Sequence, residues 1–240
     1  MAQDPAAGPG AGEADVGAGR AANRNHPFTC RTTTVAPVND RLVWIDCEMT
    51  GLDLTRDALI EVAVIVTDGQ LNVLGEGVDV VIRPPESTLA EMEQVVRDMH
   101  VTSGLLDELD AGVTLEVAEQ QALAYVRQHL PVAGKAPLAG STVFVDRGFL
   151  ARDMPELESH MHYRCVDVSG IKELVRRWYP RVYFASPDKT GGHRALADIR
   201  ESIKELRYYR QTIFVPPPGP DVAVARVVAA AIAESAGAAD

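Results

Sequence analysis

Cysteines, basic residues and long apolar runs are all scarce in this chain of 240 residues. The three cysteines, Cys30, Cys47 and Cys165, are too few and too scattered for a disulfide framework or a zinc site. Their odd number, without a CxxC pair, suits a reducing compartment. The longest apolar stretch, residues 222–233, is 12 residues long and is interrupted by an arginine, so it is too short for a bilayer. Since the first residues also lack the features of a secretory signal, we expect a soluble, cytoplasmic protein with no membrane partner.

Basic residues are outnumbered by acidic ones, with 23 Lys and Arg against 34 Asp and Glu and a formal net charge of −11. A broad surface for long nucleic acid needs Lys and Arg to contact the phosphates, so this balance argues against one. It does not exclude a nucleic-acid enzyme whose carboxylates hold metal ions, because those ions supply the positive charge. Hydrophobic residues make up 46% of the chain and charged residues 24%, which excludes wholesale disorder.

Composition divides the chain into a core and two tails. Fifteen of the first 24 residues are Ala, Gly or Pro, and we predict a disordered N-terminal tail over residues 1–40. A Pro- and Ala-rich C-terminal tail follows over 216–240, in which residues 222–234 are expected to form a marginal helix with little to anchor it. The core, residues 41–215, is long enough for one domain. It carries 19 basic and 27 acidic residues, so the acidity belongs to the core.

Hydrophobic patterns predict the elements of the core. Strands are predicted at Arg41–Glu48, Leu59–Thr67, Leu71–Ile82, Pro137–Val145 and Tyr163–Val168. Helices are predicted at Ser87–Met99, Thr114–Leu130, Ile171–Trp178 and Arg194–Tyr209. The pair Asp68-Gly69 indicates a hairpin between the second and third strands. Three strands followed by alternating helices and strands indicate an α/β sandwich with a mixed sheet.

Two carboxylates stand at the end of the first predicted strand. Side chains alternate along a strand, so Asp46 and Glu48 project from one face while Cys47 faces the other way. Two neighbouring carboxylates repel unless a cation lies between them, and oxygen ligands suit Mg²⁺ or Mn²⁺. The alternative is a strand end that emerges into solvent, and the DxE pattern alone does not decide between them.

Two further acidic motifs occur later in the chain. Asp146 follows the apolar run 137–145, where the alternative role is a helix N-cap. Asp198 borders the buried face of the last strong helix, where the alternative is a surface pair with Arg194 four residues earlier. His193 is about 140° from Asp198 on a continuous helix, so we expect it in the preceding loop. The Gly-rich stretch 188–192 suits a hinge that closes a base over a substrate, although a lone loop histidine is more often an ordinary surface residue.

The order of these motifs resembles the DEDDh 3′→5′ exonucleases, which have DxE on a first strand, a later Asp and a final HxAxxD. Within that superfamily the chain is similar to the oligoribonuclease branch. The similar stretches are Val43-Trp-Ile-Asp-Cys-Glu-Met-Thr-Gly-Leu52, Pro155-Glu-Leu-Glu, His162-Tyr-Arg-Cys-Val-Asp-Val-Ser169, Lys172-Glu-Leu-Val-Arg-Arg-Trp178 and Asp198-Ile-Arg-Glu-Ser202. They cover nearly all of residues 41–215 in order and say nothing about the tails.

The resemblance implies a ribonuclease H-like fold, with a mixed β-sheet flanked by α-helices, and a set of catalytic residues. The implied ligands of two divalent ions, Mg²⁺ or Mn²⁺, are Asp46, Glu48, Asp146 and Asp198. His193 is the implied general base, because an imidazole with a pKa near 6.5 accepts a proton at neutral pH. The product implied is a nucleoside 5′-monophosphate released from the 3′ end of RNA.

The resemblance also implies very short RNA substrates, especially dinucleotides, which need few phosphate contacts and therefore suit an acidic protein. Arg164, Ser169 and Thr142 would cap the 5′ phosphate of the substrate, Leu52 would pack against a base, and His100 would lie close by. The family forms homodimers in which a tyrosine matching Tyr163 reaches into the partner's site. The alternative for Tyr163 is an ordinary core aromatic residue.

The chain departs from the family pattern in three places, the first of which spans residues 141 and 142. Ser141 stands where an Asn is frequent, and Thr142 next to it keeps a hydroxyl. Val95 stands where many relatives have a Trp, which leaves less surface for base stacking. Cys47 replaces a commoner Leu and should be harmless, because it faces the core.

Two other functions compete with a short-RNA exonuclease. A broader DEDDh exonuclease acting on longer RNA or single-stranded DNA needs a basic track, for which the candidate residues are Arg176, Arg177 and Arg181. A catalytically inactive RNA-binding or dimerisation module is disfavoured, because all five catalytic positions hold the expected side chains.

Overall fold

The computed structural model describes residues 40–188 and 192–237 of the chain. The strands are β1 (Leu42–Met49), β2 (Leu59–Thr67), β3 (Val73–Val81), β4 (Pro137–Gly140) and β5 (His162–Asp167). The helices are α1 (Glu86–Ala90), α2 (Gln94–Thr102), α3 (Leu105–Glu108), α4 (Leu115–His129), α5 (Phe144–Asp153), α6 (Pro155–His160), α7 (Val168–Trp178), α8 (Pro180–Phe184), α9 (Ala195–Thr212) and α10 (Val222–Gly237). A short 3₁₀ turn at Leu109–Ala111 follows α3.

The described residues form one mixed sheet of five strands in the order β3-β2-β1-β4-β5. β1, β2 and β3 pair in antiparallel fashion through hairpin connections, whereas β4 and β5 are parallel to β1. All nine residues of β2 are buried, as expected for an interior strand of β-branched residues covered on both faces. The predicted mixed α/β fold is therefore confirmed.

Alternation along β1 divides the core into two layers. Val43 and Ile45 point to a cluster that includes α4 and α5. Trp44, between them, points to a second cluster that includes the apolar face of α9. Asp46 and Glu48 follow Trp44 by two and four residues, so their side chains also face α9.

The hairpin between β2 and β3 forms at the predicted Asp68. Its backbone N–H donates to the carbonyl of Asn72 at 3.0 Å, and its Oδ1 accepts from the backbone N–H groups of Gln70 and Asn72 at 2.8 and 2.9 Å. This is the local bonding by which an Asp side chain stabilises a turn.

The predicted helix Ser87–Met99 is wrong as a single element, because α1 and α2 are separate. Glu93 adopts an extended conformation with φ −60° and ψ 144°. Met92, beside it, is buried in the core. Burial of this side chain stabilises the break, which the helical periodicity of the flanking residues does not reveal.

The predicted strand Pro137–Val145 is also too long, because β4 ends at Gly140 and α5 begins at Phe144. The chain turns at Thr142, whose φ is +58°, and Val143 is buried at the turn. A short apolar run fits a buried strand or the start of a buried helix equally well, so periodicity does not place this boundary.

The structure describes most of the C-terminal tail but almost none of the N-terminal tail. Residues 1–39 of the predicted disordered tail lie outside the described residues. The marginal helix expected over 222–234 forms as α10, whose side chains are exposed over Val222–Ser235. None of the helices within residues 40–188 and 192–237 combines the length and apolarity needed to cross a membrane.

We expect Thr67→Val to destabilise the fold. The indole N–H of Trp44 donates to Thr67 Oγ1 at 3.0 Å, and both residues are fully buried. The substitution leaves the indole donor without its acceptor, which costs about 1–3 kcal/mol. Urea unfolding measures the change. Thr67→Ser keeps the hydroxyl and is the matched control, and a Thr67→Val variant as stable as the natural chain would contradict the role of this bond.

Candidate active site

The site begins where β1 ends, on the face of the sheet that α9 covers. Asp46 and Glu48 share this face, and Cys47 packs into the opposite core as predicted. The antiparallel register places Asp46 beside Ala63 and Glu48 beside Glu61 of β2. Because Glu48 is only 7% exposed, the alternative of a strand end emerging into solvent is wrong for this carboxylate.

Asp146 reaches the same strand from α5. Its Oδ1 accepts a hydrogen bond from the backbone N–H of Cys47 at 2.9 Å, and the side chain is buried. The N-cap position of α5 belongs to Val143, and Asp146 lies in the first turn. The alternative role of Asp146 as a helix N-cap is therefore wrong, and its bond links α5 to the strand that carries the first two acids.

Glu48, His193 and Asp198 form a cluster in which one potential ligand atom of each lies within 4.8 Å of the others. Asp198 is half-buried in the first turn of α9. His193 precedes that helix, with an exposed side chain and a φ of +54°. The imidazole thus approaches the two carboxylates from outside the helix, as expected from the five-residue spacing. The predicted hinge at 188–192 falls partly on residues 189–191, which lie outside the described residues.

Burial and mutual repulsion raise the pKa values of these acids. The pKa of Asp46 is raised to about 9, first by desolvation and then by the charges of Asp146 and Glu48. Desolvation, followed by the charges of Glu61 and Asp198, raises the pKa of Glu48 to about 8. Desolvation also raises the pKa of Asp146 to about 7, against the opposing effect of backbone hydrogen bonds. Ionised carboxylates in this arrangement are unfavourable unless a cation is bound among them.

The residues present fit a divalent metal ion. Carboxylate oxygens are the ligands that Mg²⁺ and Mn²⁺ prefer. His100 is fully buried behind Glu48, and its Nε2 donates to the carbonyl of Met49 at 2.9 Å. Its Nδ1, 4.0 Å from Glu48 Oε2, has no hydrogen-bond partner among the described residues. Burial lowers the pKa of this imidazole, which favours a neutral ring beside the carboxylate.

Leu52 lies on the loop that follows β1 and is 72% exposed. The buried carboxylate of Asp57 holds this loop by accepting from the Thr50 hydroxyl at 3.2 Å and from the Asp53 backbone N–H at 2.8 Å. Gly51 packs so closely that a Cβ there would lie 2.3 Å from Asp57 Oδ2. The loop therefore presents an exposed apolar side chain from a fixed backbone, four residues after Glu48.

Thr142 and Ser169 are brought together by β4 and α7, although they are 27 residues apart. The Thr142 hydroxyl donates to Ser169 Oγ at 3.1 Å. Asp167, the N-cap of α7, accepts from the backbone N–H groups of Thr142 at 3.0 Å and Ser169 at 2.8 Å. The two hydroxyls consequently lie at the N-terminus of an 11-residue helix, which is a favourable place for an anion.

Arg164 and Tyr163 lie next to each other on β5. The guanidinium carbon of Arg164 is 5.5 Å from the centre of the Tyr163 ring. Tyr163 is 72% exposed, so the alternative of an ordinary core aromatic residue is wrong. No contact of Arg164 with the hydroxyls of Thr142 and Ser169 is found among the described residues.

Sequence reasoning missed three carboxylates that organise the site. Asp57 holds the loop of Leu52, Asp167 holds Thr142 and Ser169, and Glu61 lies opposite Glu48. A signal existed for Glu61, since it is an acidic residue within the apolar strand Leu59–Thr67. No such signal existed for Asp167, which lies within the predicted strand Tyr163–Val168, whereas the helix it caps begins at Val168, three residues before the predicted start.

Comparison of the sequence with known proteins agrees with this geometry. The family model described as Exonuclease, RNase_T, matches residues 43–206. The chain is 69% identical over 193 residues to the oligoribonuclease of Streptomyces avermitilis, covering 80% of this chain and 96% of that protein. It is 68% identical over 200 residues to the Streptomyces coelicolor oligoribonuclease, covering 83% and 100%. It is 58% identical over 194 residues to that of Mycobacterium sp. strain KMS, covering 80% and 90%.

Solved structures share the fold. Exonuclease I of E. coli in complex with a dA16 oligonucleotide superimposes with a TM-score of 0.55 at 17% identity, over 72% of this chain and 41% of that one. Exonuclease I of Methylocaldum szegediense gives a TM-score of 0.50 at 21% identity, over 72% and 41%. The chain thus spans about two fifths of the length of these exonuclease I chains.

We expect the metal-free protein to lose stability as the pH rises from about 5 to about 9. The pKa values of Asp46, Glu48 and Asp146 in the folded chain lie above those of unfolded acids, which are near 4. The folded state therefore binds more protons than the unfolded state in this window, and the free energy of unfolding falls with pH. Bound Mn²⁺ should oppose the loss, most strongly at the alkaline end. Thermal unfolding in EDTA or Mn²⁺ at successive pH values measures both effects.

Asp46→Asn is the control for this pH dependence. It removes the acid with the highest of these pKa values, so it should flatten the fall in stability in EDTA and weaken the response to Mn²⁺. If the melting temperature of the metal-free protein instead rises steadily from pH 5 to pH 9, the pKa values of these carboxylates are not raised in the folded state.

Proposed function

The chain belongs to the oligoribonuclease family of exonucleases, and from this membership we propose the roles that its residues play in degrading short RNA. The protein is a 3′→5′ exoribonuclease that hydrolyses short oligoribonucleotides. The observation that carries the assignment of roles is the cluster of Glu48, His193 and Asp198 at the end of β1. We assign the exonuclease domain to residues 41–215, between an N-terminal tail over 1–40 and a C-terminal tail over 216–240.

The acidic cluster is a candidate site for divalent metal, and we propose that it binds two ions, Mg²⁺ or Mn²⁺. The proposed ligands are Asp46, Glu48, Asp146 and Asp198, which the fold gathers from β1, α5 and α9. When bound, such ions lower the pKa of an attacking water and neutralise charge on the scissile phosphate and the leaving 3′ oxygen. The raised pKa values of Asp46 and Glu48 support this proposal, because buried neighbouring carboxylates are unfavourable as anions unless a cation lies among them.

His193 acts as the general base in this proposal. Its imidazole is exposed, lies outside α9 and is within 4.8 Å of ligand atoms of Glu48 and Asp198. It can therefore take the proton of a water that attacks the phosphate between the acids. The new P–O bond to this water replaces the P–O3′ bond, which releases a nucleoside 5′-monophosphate, and the leaving 3′ oxygen takes a proton from solvent to become the 3′ hydroxyl of the shortened RNA.

The remaining predicted residues bind substrate. Thr142 and Ser169 offer hydroxyls at the N-terminus of α7, and Arg164 offers a fork suited to phosphate, so we propose that they cap the 5′ phosphate. Leu52 packs against a base from its fixed loop. His100 is buried, and we propose that it supports this region from beneath Glu48 rather than from an open surface.

We also propose a cytoplasmic homodimer. Tyr163 is exposed on β5, the last strand in the sheet order, and a side chain in this position is free to reach into a partner's site. The backbone carbonyl of Tyr163 accepts from Arg147 at 2.8 Å. Arg147 follows Asp146 on α5, so the strand that carries Tyr163 is tied to the helix that carries a proposed ligand.

The charge distribution favours short substrates over the broader exonuclease. The candidate basic track is partly neutralised, since Glu173 pairs with both Arg176, at 3.8 Å, and Arg177. A dinucleotide needs few phosphate contacts, whereas a long strand gains affinity from each additional basic contact along its backbone.

Asp198→Asn should abolish most of the activity. The side chain stays nearly the same size but loses the charge that the proposed metal site needs, and loss of even an outer partner of a metal ligand costs about 10–100-fold. We therefore expect hydrolysis of a diribonucleotide in Mn²⁺ to fall by at least about 100-fold. The exposed Asp107→Asn on α3 is the matched control, and full turnover by Asp198→Asn would refute its role.

Cleavage should become slower as the RNA lengthens. RNAs of 2, 7 and 20 nucleotides, compared at equal 3′-end concentration, should be hydrolysed in that order, and EDTA should stop all three reactions. The double variant Arg176→Gln/Arg177→Gln should leave the order unchanged, because its arginines are engaged by Glu173. Equal rates on all lengths, or a loss of long-RNA cleavage in the double variant, would favour the broader exonuclease.

A further inference from the structure

A buried glutamate on β2 makes contacts that none of the roles above explains. Glu61 is 0% exposed and lies opposite Glu48 in the strand register. Its Oε1 accepts from Arg194 Nε at 2.8 Å, and its Oε2 accepts from the backbone N–H of Ala195 at 2.8 Å. A buried carboxylate is unfavourable unless it is paired and hydrogen-bonded, and here each oxygen has its own donor. Glu61 therefore faces the start of α9.

Arg194 joins a second carboxylate on its other side. Its two terminal nitrogens donate to Glu108 Oε1 at 2.8 Å and to Glu108 Oε2 at 3.0 Å, in the paired geometry that makes arginine–carboxylate contacts strong and directional. Glu108 lies at the end of α3 and its side chain is 48% exposed. The guanidinium thus connects three elements: β2, α3 and the residue before α9.

The connection ends next to His193. The φ of +54° at His193 is a left-handed conformation, which is unfavourable for a residue other than glycine and persists only where the surroundings hold it. Arg194 follows at once, and Ala195 supplies one of the helix-terminal N–H groups that have no partner within the helix. Glu61 satisfies that N–H and binds the arginine, so the backbone on the C-terminal side of His193 is held at two points.

Glu61 is not well placed to act as an additional metal ligand. Both of its oxygens already accept from donors, and one of those donors is a guanidinium. Asp79 is a further acidic neighbour, and desolvation together with the charge of Glu61 raises the pKa of Asp79 to about 6. The contacts of Glu61 therefore fit a structural link to α9 better than a link to a cation.

We propose that Glu61 and Glu108, acting through Arg194, are positioning residues that hold the imidazole of His193 over the acidic cluster. This inference rests on the proposed role of His193 as the general base. Asp198 depends on the link less, because α9 is also anchored by Ala195, Ile199 and Ile203 packing against Trp44 and Ala63. Loss of the contacts among Glu61, Arg194 and Glu108 should therefore impair proton transfer to His193 more than it impairs metal binding.

The test is a double-variant cycle with Arg194→Lys and His193→Ala. Lysine keeps the positive charge but loses the fork that spans both glutamates. In the natural background we expect Arg194→Lys to lower kcat on a diribonucleotide about 10- to 100-fold, on the order of what a displacement of about 1 Å costs. KM and the Mn²⁺ affinity measured by calorimetry should change less than about 3-fold, and in the His193→Ala background Arg194→Lys should have no further effect on kcat.

The controls separate this inference from the role of His193. Arg207 lies on α9 and donates to the carbonyl of Leu71. Arg207→Lys should therefore leave kcat unchanged. If His193→Ala retains full activity, the assignment of the base fails. If His193→Ala is inactive while Arg194→Lys is normal, or if the two losses multiply in the double variant, the positioning role is wrong.

Glu108→Gln provides a second measurement that does not disturb the buried part of the link. It should lower kcat in the same direction as Arg194→Lys but by less, with an unchanged circular dichroism spectrum, because Glu108 is half-exposed and Glu61 still binds the arginine. If Arg194→Lys does not fold, an unaltered kcat in Glu108→Gln overturns the proposal.

Discussion

Repulsion among carboxylates at the end of β1 governs how the active site and its surroundings are built. The alternation of β1 supplies Asp46 and Glu48, α5 adds Asp146 and α9 adds Asp198. Glu48 and Asp146 are buried, and Asp46 and Asp198 are half-buried. The pKa values of the first three acids are raised as a result. The folded chain accordingly carries a local instability that a bound cation removes, and the acidic character of the protein becomes compatible with a phosphodiester substrate.

The same constraint explains the need for compensation close to the site. Glu61 adds another carboxylate opposite Glu48, and Arg194 offsets it while also contacting Glu108. The charge of Arg194 opposes the upward shift in the pKa of Glu48. One guanidinium therefore neutralises acidic charge and ties the beginning of α9 to the sheet, so that electrostatic balance and the placement of His193 have a common source.

Carboxylates away from the acidic cluster organise the surfaces around it. Asp57 holds the loop that presents Leu52, and Asp167 holds Thr142 beside Ser169 at the start of α7. These acids accept hydrogen bonds from backbone N–H groups. They therefore fix the conformation of nearby loops and do not form a further cation site. A protein rich in acidic residues can thus hold two hydroxyls at a helix N-terminus, the surface proposed to bind phosphate, without a broad basic surface.

Local periodicity and the order of the motifs were enough to predict part of the fold and of the site. The bounds of β2 agree with the prediction, and the alternation of β1 placed Asp46 and Glu48 on one face and Cys47 on the other. Element boundaries and contacts between distant residues became visible only in the folded chain. An apolar run from 137 to 145 did not reveal that α5 starts at Phe144, and no local pattern pairs Glu61 with Arg194, which is 133 residues away. Contacts of this kind arise from the packing of distant elements, and the periodicity of a segment carries no information about its distant partners.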